Sequence, residues 1–372
     1  MFQAAGYAAA MAREFEPPPR KGRGASYNPK VRFESSARDP FDDGWGSLAA
    51  AQAETPAPPT EVIADQSRTV IAHNASPDIP FERSINPYRG CEHGCIYCYA
   101  RPSHAWLGMS PGLDFETKLL VKHDAAELLR RELAHPKYRC QPIALGTNTD
   151  PYQPLERRLG ITRGILEVLA QSRHPLTIVT KSAAVTRDLD LLAPMAADGL
   201  ARVAISVTTL DPALARTLEP RAAAPHRRLQ AIRSVSEAGI PTAVMVAPII
   251  PGLNDHEIEA VLEAAAEAGA GQAAHTLVRL PHEVKELFAA WLEAHAPLRA
   301  QHILSLIRQC RGGRLNDPNF GSRMRGQGAY AELIGGRVAI ARRRFGLDRE
   351  RPPLRTDLFE PPRSGQHQLR LL

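Results

Sequence analysis

From Asn86 onward the chain alternates short apolar runs with longer amphipathic ones, and this alternation narrows the fold more than any other feature. The runs "PIALG" (142–146), "LTIVT" (176–180), "RVAISV" (202–207), "TAVMVAP" (242–248) and "HTLVR" (275–279) have the length and composition of strands. Between them, "HDAAELLRRELA" (123–134), "GITRGILEVLAQS" (160–172), "DLDLLAPMAADG" (188–199), "PHRRLQAIRSVSEAG" (225–239) and "DHEIEAVLEAAAEAG" (255–269) repeat apolar residues at helical spacing. Gly199, Gly239 and Gly269 close three of these stretches, where a helix C-terminus favours glycine. Strands joined through helices lie parallel. With one more strand before Cys91 the count is about six over roughly 200 residues, which suits a partial or full parallel barrel or an open doubly wound sheet. In each of these, chemistry collects at the C-terminal ends of the strands. Those ends carry a cysteine-rich loop after the first strand, "GTNTDPYQP" (146–154), "TKS" (180–182), Ser206 with "TTLDP" behind it, and "APIIPGLND" (247–255).

At 372 residues, 44% apolar and 23% charged, the chain is long enough for one barrel-sized core and reads as soluble and globular. The longest apolar run, "AVMVAPII" (243–250), is strand-sized and far too short to cross a membrane, and the N-terminus has no signal-peptide pattern. The expected location is the cytoplasm. Five cysteines, three of them clustered, read as metal-binding or redox-active rather than as a disulfide framework.

Residues 1–60 are rich in Pro, Ala, Gly and Ser and read as a mostly disordered extension, with "RKGRGASYNPKVRFE" (20–34) as a solvated tail or a short contact with nucleic acid or a partner. Residues 61–298 read as the core, with the motifs inside 84–279. Residues 299–351 read as a basic helical and loop segment packing on that core, and 352–372 as a flexible tail. The formal charge of +6 is concentrated: residues 299–351 hold 12 arginines, no lysine and 4 acids. Arginine favours planar, two-point recognition of phosphates, so this segment is expected to cover the barrel's open side and bring in nucleic acid, DNA or RNA. The plainer alternative is an arginine-rich, solvated lid.

Cys91, Cys95 and Cys98 lie in "GCEHGCIYCYARPSH" (90–104). A structural zinc site takes four ligands, usually from two separated pairs, and no second pair exists here. His93 lies inside the loop, which is too short to wrap one tetrahedral ion. Three thiolates suit a four-iron cluster in which one iron stays open for a non-protein ligand; electron-transfer clusters ordinarily take four cysteines. A cysteine-rich binding module with zinc or an electron-transfer cluster is the non-enzymatic alternative.

The C-x3-C-x2-C spacing with Tyr97 before the last cysteine resembles the signature of the radical S-adenosylmethionine (SAM) superfamily. Together with "TDPYQPLE" and "TKS" it is similar to the branch of spore photoproduct lyase and its "DNA repair photolyase" relatives. That resemblance implies a partial (βα)6 barrel of the TIM type. It also implies a 4Fe-4S cluster on Cys91, Cys95 and Cys98, and SAM cleaved reductively to a 5′-deoxyadenosyl radical. It further implies SAM contacts from Tyr97, Thr149, Asp150, Lys181 and Ser206, an apolar strand end ("PIIPG", 248–252) beneath the adenine, and an electron donor such as a flavodoxin or ferredoxin. The substrate it implies is nucleic acid, with a small molecule or a protein as the other reading. No catalytic side chain is assigned. The branch carries a hydrogen-donating cysteine near the end of the second strand; this chain has Gly146 and Thr147 there, and Cys140 sits at the strand's start, about 20 Å away at ~3.3 Å per residue. Cys310, in the basic segment, is the remaining thiol. Glu219 and Arg221 in "LEPRAAAP" read as an ion pair at the mouth or as surface charges.

Overall fold

The structure, a computed structural model, describes residues 19–33, 58–350 and 352–362. The rest of the 1–60 extension and the end of the 352–372 tail lie outside the described residues.

Seven strands form the main sheet. The antiparallel hairpin β2 (Ile71–His73) and β3 (Arg83–Ile85) is followed by β6 (Ile143–Leu145), β7 (Leu176–Thr180), β8 (Ala201–Ser206), β9 (Thr242–Ile249) and β10 (Gln272–Leu277), in the spatial order β10-β9-β8-β7-β6-β3-β2. From β3 to β10 all pairings are parallel and sequential. These are the six strands expected from the pattern, and among the described residues the edges β2 and β10 do not pair with each other. The architecture is an open, six-stranded parallel barrel with one added edge strand. A small second sheet, β1 (Glu61–Ala64), β5 (Lys118–Val121) and β4 (Tyr88–Arg89), sits beside it.

The crossover helices follow the amphipathic stretches: α1 (Ala125–Leu133), α2 (Ile161–Gln171), α3 (Leu189–Ala197), α4 (Pro225–Glu237) and α5 (Ile258–Glu267). Each turns an apolar stripe inward, as with Ile165, Leu166, Val168 and Leu169 of α2. On the central strands every second residue, such as Ile178, Val203, Ile205, Val244 and Val246, is fully buried in the main core. The alternates Thr177, Val179, Ala204, Ala243 and Met245 are only half-buried, so the two faces of the sheet are packed unequally. A second apolar cluster lies under α6 (Val284–His295) and α7 (Ala300–Gln309), and it includes Cys95, Ile96 and Tyr97.

Residues 19–33 of the N-terminal extension pack as a strap on the cysteine loop. The carboxylate of Glu116 accepts from Gly24 N at 3.0 Å and Ala25 N at 2.8 Å. A Cβ on Gly24 would fall 1.8 Å from the Gly94 carbonyl oxygen, so only glycine permits this approach. Of the basic residues in this stretch, Arg23 donates to Glu116 O and Pro58 O, and Arg32 pairs with Glu283 at 2.7 Å.

The C-terminal segment continues from α7 through the loop 311–328 to α8 (Ala329–Arg344), which packs on α5 and β10. Its loop touches both edges of the sheet. Arg311, almost fully buried, donates to Leu277 O and Val278 O at the end of β10. Arg323 makes a two-point contact with Asp78, in the turn between β2 and β3, and Gly321 N joins the same carboxylate.

Candidate functional site

The loop after β3 and β4 carries the three cysteines at the C-terminal end of the first parallel strand. Backbone bonds fix it: Cys91 N donates to Phe115 O at 2.9 Å, Cys98 N to Cys95 O at 3.2 Å, and Ile96 N to Leu218 O at 3.0 Å. The turn between the first two cysteines passes through Gly94 at φ +68°, where an added Cβ would stand 2.8 Å from Glu116 Oε2. Arg101, with no exposed surface, holds the loop from behind. Its guanidinium donates to the carbonyls of Cys95, Gly94, Pro111 and Gly112 and pairs with the equally buried Glu116 at 2.5 Å.

All three thiols are free; Cys91 and Cys95 are buried and Cys98 is partly exposed. Burial, above all, raises the pKa of each one, so none of them ionises readily unless a cation lies beside it. Among the described residues no three His, Cys, Asp or Glu side chains are placed to hold a metal ion together. Three thiols on one loop, with no second cysteine pair beside them, are one ligand short of a structural zinc site made of thiolates. They fit a multi-iron cluster, in which each thiolate takes its own iron.

The other strand ends converge on this loop. After β6, Asp150 accepts from Thr180 Oγ1 and Lys181 N, each at 2.7 Å, and from Tyr152 N at 2.9 Å. Its Oδ2 stands 3.4 Å from His93 Nδ1, inside the cysteine loop. Burial outweighs the nearby Asp150 and pushes the His93 pKa down, which keeps the ring neutral. Thr149 is buried, and its hydroxyl is taken by Tyr88 O at 2.9 Å. Lys181, the residue after β7, reaches Ala247 O at 3.3 Å and lies 5.9 Å above the Tyr97 ring. Ser206, ending β8, is buried, and its carbonyl accepts from Arg228 Nη1 at 3.2 Å.

The centre of this array is Glu219, which the sequence offered only as half of an ion pair with Arg221 or as a surface charge. The structure separates those two. Arg221 pairs with Glu92 at 3.1 Å, while Glu219 is buried and paired with Arg228. Tyr97 OH and Thr208 Oγ1 also donate to Glu219, and Lys181 Nζ is 3.9 Å away. Although burial opposes it, Arg228, Lys181 and these donors bring the Glu219 pKa down to about 2. The signal that could have found this was an arginine nine residues on, Arg228, on the inner side of α4; the tempting partner, Arg221, was only nearer in sequence. Asn254, in the loop after β9, closes the ring by donating to Thr208 O at 2.7 Å and Pro248 O at 3.1 Å and accepting from Ile250 N at 2.6 Å.

The strand ends therefore bring together Tyr97, Asp150, Lys181 and Ser206 at one rim with the three cysteines, and Thr149 lies just outside with its side chain turned to β4. Cys140 precedes β6 by three residues, below the rim, and burial pushes its thiol up to about 11. Cys310 is buried at the end of α7.

An open parallel barrel with a three-cysteine loop and a rim of paired, hydrogen-bonded charges offers a soft-metal site and charged groups together at one mouth. The comparisons agree. The family model described as "Radical SAM superfamily" matches residues 85–265. The uncharacterized protein Rv2578c of Mycobacterium tuberculosis is 38% identical over 283 residues, which is 75% of this chain and 79% of that protein. The uncharacterized protein MJ0683 of Methanocaldococcus jannaschii is 31% identical over 173 residues, 46% of this chain and 62% of that one. Spore photoproduct lyase complexed with dinucleoside spore photoproduct superposes with a TM-score of 0.56 at 18% identity, covering 76% of this chain and 79% of its own. A variant of that lyase with bound AdoMet and dinucleoside spore photoproduct gives 0.54 at 16% identity over 76% and 78%. The chain belongs to the radical SAM superfamily, whose enzymes use a 4Fe-4S cluster and S-adenosylmethionine. No described helix is long and apolar enough to cross a membrane.

Proposed function

We propose that Cys91, Cys95 and Cys98 each hold one iron of the 4Fe-4S cluster and that the chain is a radical SAM enzyme acting on nucleic acid. The observation that carries the reading is the meeting of this loop with Lys181, Tyr97 and Asp150 at one strand-end rim. When bound, the cluster supplies the single electron that cleaves SAM reductively to a 5′-deoxyadenosyl radical.

The chain's own residues bind and orient. Lys181, drawn over the Tyr97 ring and toward Glu219, is a mobile-headed cation suited to the carboxylate of SAM. Asp150 presents negative charge to the ammonium of the methionine moiety, and the same carboxylate fixes the backbone at Lys181. Thr149 contributes through its backbone, because its hydroxyl is engaged by Tyr88. Tyr97 and Ser206 face the nucleoside end, with Tyr97 fixed by Glu219. The buried Glu219–Arg228 pair keeps these groups in register and excludes water from beneath them. Exposed arginines on the C-terminal segment, among them Arg308, Arg314, Arg325, Arg343 and Arg344, support the nucleic-acid substrate, as does the dinucleoside ligand of the lyase of similar fold.

Anaerobic reconstitution with iron and sulfide tests the core of this reading. The expected result is a brown protein that forms 5′-deoxyadenosine from SAM under dithionite, with a flavodoxin or ferredoxin able to replace the dithionite. A colourless zinc protein that leaves SAM intact would sink it. Deuterium transfer from labelled oligonucleotide, DNA or RNA, into 5′-deoxyadenosine identifies the substrate class; transfer only from a small molecule or protein selects the other reading.

A further inference from the structure

Three arginines meet where the open side of the barrel passes the cysteine loop, and they are not used alike. Arg311 is buried and spends its donors on the carbonyls of Leu277, Val278, Ser322 and Arg323. Arg323 is bound at two points by Asp78. Arg279, two residues beyond β10, has neither arrangement. Among the described residues no carboxylate pairs with it; its Nε is buried without a hydrogen-bond partner, and Nη1 has only Met324 Sδ at 3.7 Å. The acidic groups that face it are engaged elsewhere: Asp78 by Arg323, and Asp317 by Ser322 Oγ at 2.6 Å and Asn319 N at 2.9 Å. Burial, and then the repulsion of Arg323, lowers the pKa of Arg279. A half-buried guanidinium with neighbours of its own sign and no counter-ion is a costly arrangement, and an anion relieves it.

The position of Arg279 shows which anion. Its guanidinium lies 5.4 Å from the centre of the Tyr99 ring. Tyr99 follows Cys98 directly, is 47% exposed, and is pinned across the mouth by a hydrogen bond from its hydroxyl to Thr147 O. The unpaired cation thus stands beside an anchored, exposed aromatic face next to the third cysteine. A planar fork matches the oxygens of a phosphate, and an aromatic ring beside it gives a base or sugar a surface to lie on.

We propose that Arg279 and Tyr99 form a nucleotide subsite at the barrel's open side, in which Arg279 takes a substrate phosphate and Tyr99 carries the adjoining base or sugar. This rests on the nucleic-acid reading for the source of the phosphate, whereas the anion site itself stands on Arg279.

The test uses the reconstituted full chain and two probes, a fluorescein-labelled single-stranded DNA oligonucleotide and inorganic phosphate. Arg279→Gln is expected to weaken oligonucleotide binding at least about tenfold, the loss of one charge-assisted contact, and to lower the salt slope by roughly one. Arg279→Lys, which keeps the charge without the fork, is expected to fall between, and it also guards against a glutamine variant that does not fold. Arg308→Gln, on the exposed side of α7, is expected to change affinity less than Arg279→Gln. Oligonucleotide binding that is equal in wild type, Arg279→Gln and Arg279→Lys overturns the subsite and leaves the nucleic-acid reading standing. Phosphate binding that is lost in Arg279→Gln, with no oligonucleotide binding by wild type, supports the anion site and sinks the nucleic-acid reading. Wild-type binding of neither probe overturns both.

Discussion

The barrel wall and the barrel mouth are built on opposite principles. The wall, β3 and β6 to β10 with their crossover helices, is held by aliphatic side chains such as Ile165, Leu166, Ile178, Val203, Ile205 and Val244, all at 0–1% exposure. The mouth buries charge. Arg101 with Glu116 and Arg228 with Glu219 are ion pairs almost without exposed surface, each hydrogen-bonded on several sides. Apolar packing is non-directional and tolerates repacking, whereas a buried ion pair stabilises only when every partner is in place. The wall can therefore vary while it supports the chain, and the mouth is intolerant because it must hold a geometry.

The comparison can be broken at several points. Cys91→Ala, Cys95→Ala or Cys98→Ala should each abolish 5′-deoxyadenosine formation, measured by chromatography after anaerobic reconstitution, because one iron loses its ligand. Turnover untouched by any of the three would end the account. Glu219→Ala leaves Arg228 buried without a counter-charge and is expected to cost about 3–5 kcal/mol in urea unfolding, with loss of SAM binding. Leu166→Ala, in the wall, should cost about 3 kcal/mol through the cavity it leaves, yet the folded fraction should retain cluster absorbance and SAM cleavage. The two variants then separate stability from function.

A titration sharpens the contrast from the wall's side. His174 is buried, in contact with Tyr138 OH at 2.8 Å, and burial, opposed by the Pro175 carbonyl, pushes its pKa from 6.5 down to about 4. A depressed base favours folding while it is neutral, so its contribution is complete above pH 6.5 and is lost as the pH falls toward 4. That loss is roughly 3 kcal/mol at about 1.4 kcal/mol per pH unit, and His174→Gln should flatten this part of the stability–pH curve. The smallest effect belongs to the surface. Arg337 pairs with Glu259 at 2.5 Å, but both side chains are substantially exposed, and Arg337→Ala should shift stability by no more than about 0.5 kcal/mol.

The sequence made the wall readable because its signals are local. Each strand and each crossover helix carries its own periodicity, and the observed elements fall within a few residues of the expected ones, as with Leu176–Thr180 and Thr242–Ile249. The cysteine triplet was legible for the same reason, being confined to eight residues. What the sequence concealed depends on partners far apart along the chain. Gly24 and Glu116 are separated by 92 residues, so a stretch that looked like a solvated tail becomes the backing of the cysteine loop. β1 and β5 are too short and too ordinary to suggest their pairing. Glu219 drew attention to the wrong arginine because proximity in sequence is a poor guide to which charge a fold buries beside it.

The clasp of the C-terminal loop on both edges of the sheet carries a last consequence. β2 and β10 share no ladder, yet Arg323 grips the turn beside one and Arg311 the end of the other, 12 residues apart in the chain. The gap between those edges is spanned by a tether of fixed length rather than by strand pairing. A protein ending at Gln309 would still carry the residues of every described strand, yet it would lose this girdle and the bond from Ala273 N to Leu347 O at β10, so the span of the doorway rests on a segment that belongs to none of the walls.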